Sequence, residues 1–235
     1  MDFLKILKSF EEFVYEALSW FVLLPKTLAR IVVHPARMSD YAASELARSE
    51  NVRYNDAISP PLLLILCVLI AHVLDLAVRP QTPDTSGSLA STLLASEQNL
   101  LLYRTLAFGL WALAGSVYFL LRSGMAISRD SLRVPFYQQC YLVSPFALAL
   151  SVGTSLLMVG GKTEAVGAGL VLGGFLWLGV VQTRWIGRAA KLSAWRAVIA
   201  AACIVLIGAM ANGVLIHVLA STQAPSAVSA TTTSS

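Results

Sequence analysis

Apolar positions along the chain fall into two textures. Near 60–78, 101–121, 138–159, 165–183 and 197–219 they run on with few polar interruptions, at about the 20 residues that a helix needs to cross a bilayer. Each run must be helical, because hydrocarbon offers no partner to an unpaired backbone amide. Pro60 and Pro61 open the first run, where a missing N–H costs no helical bond. Residues 1–58 look different. Phe3, Leu7, Phe10, Val14, Leu18 and Phe21 recur at spacings of three and four, with Lys5, Lys8, Glu12 and Glu16 between them, the pattern of an amphipathic helix. "FVLLPKTLARIVVHP" follows, apolar but broken by Pro25 and Pro35, and is expected to lie in the membrane interface with its basic residues toward anionic headgroups. "PARMSDYAASELARSE" is expected to be a polar helix. A sixth span over 13–33 is the competing reading; it would bury Glu16, Lys26 and Arg30 at about 2.5–3.5 kcal/mol each.

The rest of the chain connects these elements. "RPQTPDTSGS", within the loop 79–100, is a flexible turn region, and "LASTLLASEQNLLLY" suits a short helix leading into the second span. The tail 221–235, "STQAPSAVSATTTSS", carries no charge and is expected to be disordered. Glu11, Glu12 and Glu16 interrupt the first turns, so the N-terminus does not read as a cleavable signal.

Composition agrees with the pattern. The chain is 57% hydrophobic and 13% charged, with mean hydropathy +0.70, where soluble domains carry about 25% charged residues. The expected fold is an all-α polytopic membrane protein. A cytoplasmic amphipathic region (1–58) precedes a five-helix transmembrane domain (59–220) and an outer tail (221–235). The net charge of +4 matters less than its placement. Seven basic residues precede the first span, three (Arg122, Arg129, Arg133) separate the second and third, and four (Arg184, Arg188, Lys191, Arg196) separate the fourth and fifth; only Arg79, Arg104 and Lys162 lie on the other side. The positive-inside rule then puts the N-terminus in the cytoplasm and the C-terminus outside. Trp185, Trp195, Tyr137 and Tyr141 sit at inner boundaries, as interfacial aromatics do.

Candidate chemistry is sparse. His72 and Asp75 are three apart on one face of the first span, and His217 lies near the outer end of the fifth at similar depth. Three readings compete: an interfacial anchor in which Asp75 pairs with Arg79 or Arg104, an ion or proton site, and a metal site. In "GAGLVLGGFLWLG", Gly169 and Gly173 form GxxxG and Gly167, Gly174 and Gly179 add small positions, answered in the fifth span by Gly208, Ala209, Ala211 and Gly213; such positions let helix backbones come close. Packing of the fourth span on the fifth is the first expectation; a dimer seam and a substrate path are the others. Asn212, mid-span, is expected to hydrogen-bond a neighbouring helix, with passage of an ion or solute as the alternative. The odd, scattered Cys67, Cys140 and Cys203 suggest neither zinc nor a redox pair. "GGKT" at 160–163 mimics a P-loop, but Leu156 stands where its first glycine belongs. "GTSL" at 153–156 with His217 mimics a rhomboid protease pair, yet the small-residue spacing after the histidine is missing and five spans are one too few. No catalytic motif, cofactor site, metal site or nucleic-acid surface is expected, so the chain is not read as an enzyme.

The proline-punctuated stretch "LLPKTLARIVVHPARM", "VSPF" at 143–146 and the five-span count resemble the Yip domain family (Ypt-interacting proteins) and its bacterial relatives, over residues 20–219. The Asp-Leu-Tyr-Gly-Pro motif of eukaryotic members is absent; the nearest stretch is "YNDAISPP", and a GTPase-linked trafficking role is not carried over. The resemblance implies membrane organisation or adaptor work without catalysis. The expected partners are the lipid bilayer and a membrane or cytoplasmic protein met through the N-terminal region, in a bacterial inner membrane, with a homo-oligomer left open. The alternative is a small-solute or ion permease, or an accessory subunit of a transport complex.

Overall fold

The structure, a computed structural model, describes residues 3–78 and 97–222. They form seven helices: α1 (Phe3–Val33), α2 (Pro35–Leu46), α3 (Pro60–Val78), α4 (Glu97–Arg122), α5 (Arg129–Val159), α6 (Glu164–Ala189) and α7 (Ala194–Thr222). No strand occurs among the described residues. Five helices, α3 to α7, are long and apolar enough to cross a membrane, so this is an all-α protein with five candidate spans. Arg79 and most of the loop 79–100 and of the tail 221–235 lie outside the described residues.

Helix ends follow local chemistry. α5 begins at Arg129 rather than near 138, because Ser128 and Ser131 form a reciprocal cap. The Ser131 amide donates to the Ser128 hydroxyl (3.1 Å), and the Ser128 amide donates to the Ser131 hydroxyl (2.9 Å). Satisfying these first-turn donors extends the helix into the polar flank. α1 also departs from expectation. It continues through Pro25, which deletes one backbone bond while Leu28 and Ile31 beyond it are held in the core. The break falls at His34 (φ −131°), where Pro35 disfavours helical geometry in the residue before it. Gly160 (φ 75°) and Gly161 (φ 63°) make the α5–α6 turn in a region that disfavours side chains. "GGKT" is therefore a hairpin between spans, not a phosphate loop.

α5 is the central helix, packed against α3, α4, α6 and α2, while α7 closes the bundle against α4 and α6. Leu64, Val68, Phe108, Trp111, Val143, Phe146 and Leu178 form its principal core. Phe146 meets the edges of Phe108, Trp111 and Phe175 at centroid distances of 6.1, 5.2 and 5.0 Å. A second core joins the N-terminal region to the bundle through Ile31, Met38, Ala42, Ile58, Leu63 and Tyr141. Ile58 is strapped on both sides: its amide donates to Thr27 Oγ1 (3.3 Å) and its carbonyl accepts from the Tyr141 hydroxyl (2.6 Å). Next to it, Asp56 accepts from the Tyr41 hydroxyl (2.6 Å) and from Arg30 (3.0 Å). The Tyr41 bond, with help from Arg30, holds the Asp56 carboxyl below its ordinary range. The second half of α1, α2 and the connection to α3 thus form one polar-tied collar at the basic end of the bundle.

Glycines mark the close helix approaches, though not where GxxxG suggests. A Cβ at Gly169, Gly173 or Gly213 would meet nothing within 4 Å. The tight seam runs between α5 and α6, where a Cβ on Gly167 would stand 2.7 Å from the Gly153 carbonyl oxygen. α6 meets α7 near their turn, with Gly187 facing Ala197, and Gly208 of α7 lies under the Trp111 ring of α4.

The α5–α6 seam also holds two buried amides. Gln139 donates to Gln182 (3.1 Å) and Gln182 donates back (2.5 Å). Removing one partner strands the other, and a buried polar group without a partner costs about 1–3 kcal/mol. Gln139→Leu is expected to lower stability by about that amount in detergent unfolding, and Gln139→Leu/Gln182→Leu to recover most of it. A double variant as unstable as the worse single one would mean that packing, not the hydrogen bonds, sets the cost.

Candidate functional site: a buried polar cluster

The end of the bundle opposite the collar gathers polar side chains from three helices. Asp75 on α3 is 2% exposed although it carries an ionisable group. Arg104 from α4 places Nη2 3.3 Å from Asp75 Oδ2. Ser155 from α5 donates to Asp75 Oδ1 at 2.5 Å. The carboxylate thus meets a guanidinium and a hydroxyl, the charge-assisted pairing that lets such a group remain at this depth. His72 is buried one turn earlier on α3. Of the two partners expected for Asp75, Arg104 is in place; Arg79 lies outside the described residues.

Beside this cluster is a cavity of about 340 Å³ between α4, α5 and α7. Tyr103, Arg104, Ser151, Thr154 and Asn212 supply its polar lining, and Phe108, Trp111, Leu150 and Met158 its apolar walls. Asn212 donates across the bundle to the Ala107 carbonyl (3.2 Å) and back to Gly208 (2.8 Å). Its amide nitrogen therefore ties α7 to α4, the neighbour-helix bond expected of it.

His217 is exposed on α7. Among the described residues no group of three His, Cys, Asp or Glu side chains is placed to hold a metal ion. Ser155 Oγ lies within hydrogen-bond distance of both Asp75 Oδ1 (2.5 Å) and the Ser151 carbonyl (3.0 Å). Sequence reasoning missed Ser155 as a carboxylate partner and missed the Gln139–Gln182 pair. The signal for the latter was present, as two amides inside apolar runs.

Five apolar helices, α5 central among them, with an internally paired carboxylate at Asp75, are those of an integral, multi-pass membrane protein. Comparison of the chain with protein-family models, curated proteins and solved structures returns no match.

Proposed function

We propose that the protein organises membrane or holds a protein partner as an adaptor of the Yip type, without catalysis. In this reading its N-terminus is cytoplasmic, its C-terminus is outside, and it resides in a bacterial inner membrane. The observation that carries the reading is the first half of α1. Leu7, Phe10, Phe13, Leu18 and Phe21 are between 53% and 80% exposed, beside Glu11, Glu12 and Glu16. One face of the same helix, carrying Trp20, Leu23, Leu24, Leu28 and Ile31, is packed into the collar. A helix anchored at one end, with a bare apolar face at the other, suits the interface between headgroups and acyl chains, where it would meet a partner. The scarcity of charge inside the spans supports the same reading.

The test is a mild-detergent pull-down from the protein's own membranes, with mass spectrometry of proteins and lipids. The wild type is compared with Phe10→Glu/Phe13→Glu/Phe21→Glu. These side chains lie outside the core, so the variant is expected to keep its thermal stability and lose a stoichiometric partner. An identical partner list from both would sink the adaptor reading. A deletion serving the same purpose must stop before Trp20, because the residues beyond it are part of the fold.

The 340 Å³ cavity beside Arg104 and Asn212 favours a second reading, a small-solute or ion permease or an accessory transport subunit. Flux in liposomes that disappears with Asn212→Leu would support it. Flux indifferent to that change and to Asp75→Asn would remove these residues from any pathway.

A further inference from the structure

At the basic end of the bundle, where α1 turns into α2 beside the last turns of α6, lies a cavity of about 220 Å³. Arg37 and Ser39 of α2 line one side, Arg184, Trp185 and Arg188 of α6 the other, and His34 the rim. Two of these groups are buried donors with no hydrogen-bond partner among the described residues: Ser39 Oγ and Trp185 Nε1. Ser39 is 1% exposed and Trp185 3%. An indole N–H only donates, and leaving such a donor buried and unmatched is unfavourable. Both therefore call for an acceptor arriving in the cavity.

The charges around them say which kind. Three exposed arginines, Arg37, Arg184 and Arg188, line the cavity. Asp40 is the carboxylate in contact, 3.6 Å from Arg188 Nη1, and among the described residues Arg37 and Arg184 have no ion pair. A ligand with several anionic oxygens answers both needs, because guanidinium forks match phosphate geometry and leftover oxygens can accept from Trp185 and Ser39. Val33, Leu142 and Val181 form an apolar wall on the same cavity. Its position at the end of the α6 span is the depth at which headgroups lie.

We infer that this cavity is a binding site for a phosphate-bearing anion, supplied by the headgroup of an acidic phospholipid. Arg37, Arg184 and Arg188 hold the charge, and the Trp185 N–H and Ser39 O–H orient the phosphate. The site does not depend on the adaptor reading, since it serves a transporter equally well.

Native mass spectrometry and thermal unfolding of the detergent-purified full chain test it, with phosphatidylglycerol, phosphatidylcholine and inorganic phosphate as separate probes. Phosphatidylglycerol is expected to stay bound and raise the melting temperature, and phosphatidylcholine to do neither. Trp185→Phe, which keeps the ring and removes the N–H, and Arg37→Gln/Arg184→Gln are each expected to weaken phosphatidylglycerol binding about tenfold or more, the effect of about 1.4 kcal/mol. Arg129→Gln, basic and exposed at the same end but outside the cavity, is expected to leave binding unchanged. Protection by inorganic phosphate equal to that by phosphatidylglycerol, and lost in the same variants, would overturn the lipid source. Equal binding of both lipids, or binding in the variants as tight as in the wild type, would overturn the site.

Discussion

Asp75→Leu is expected to destabilise the protein by about 3–5 kcal/mol, the penalty for removing one partner from a buried ion pair. The reason is geometric. Arg104 and Asp75 side chains are 12% and 3% exposed, so water does little to screen the guanidinium once the carboxylate is gone. Ser155, which donates to the other oxygen, falls back in the same step on the Ser151 carbonyl at 3.0 Å. Asp75→Leu/Arg104→Met, which removes both charges and keeps apolar volume, is expected to recover most of the loss, because a well-packed apolar replacement of a buried pair is often neutral. Ser155→Ala alone is expected to cost about 1.5–3 kcal/mol, the range for a hydrogen bond to a charged group. Unfolding of the four proteins in mixed detergent micelles reads all of this. A loss below about 1 kcal/mol for Asp75→Leu would mean that Arg104 is stabilised mainly by something other than this carboxylate.

The spans were legible because a run of apolar residues is a one-dimensional signal, and lipid allows a run little choice but helix. What the runs do not encode is which faces meet. Gly169 and Gly173 satisfy the GxxxG spacing, yet α6 turns them outward and uses Gly167 instead. A glycine permits a close approach, but the side chains opposite decide whether one occurs. Ends were harder still. α5 begins nearly three turns early because Ser128 and Ser131 cap it, and α1 passes Pro25 because tertiary packing holds it beyond that point. At the candidate site, the shared face of His72 and Asp75 and the partner Arg104 were readable from helical spacing and depth. Ser155, 80 residues from Asp75, was not, since its hydroxyl also lies 3.0 Å from the Ser151 carbonyl of its own helix, and nothing local distinguishes such a serine from one that meets no carboxylate. The cavity beside Trp185 was equally hidden: its arginines were visible only as a topology signal, and its unmatched indole appears only once α2 is folded against α6.

Gly167→Val is expected to be the most damaging small substitution in the α5–α6 seam. Even a methyl there would stand 2.7 Å from the Gly153 carbonyl oxygen and 2.9 Å from the Leu157 amide nitrogen, both backbone atoms that cannot rotate away. The reciprocal position behaves alike, since a Cβ on Gly153 would approach the Gly167 carbonyl oxygen at 2.9 Å and Val171 Cγ2 at 2.8 Å. The helices must therefore separate, losing dispersion contacts along the seam; without a hydrophobic drive between spans, those contacts hold it together. Overpacking of this kind costs about 1–3 kcal/mol, with Gly167→Ala near the lower figure and Gly167→Val at or above the upper one. The Gln139–Gln182 pair lies about four turns further along the same seam, so the losses from Gly167→Val and Gln139→Leu should add. Gly169→Ala and Gly173→Ala supply the internal control. Both positions face open space, and alanine is the better helix former by about 0.5–1 kcal/mol, so these changes should be neutral or mildly stabilising in the monomer. If instead they lower stability or shift an oligomer to monomer in detergent, the outward glycines serve a contact with a second copy, and the dimer seam replaces the intramolecular one as their role.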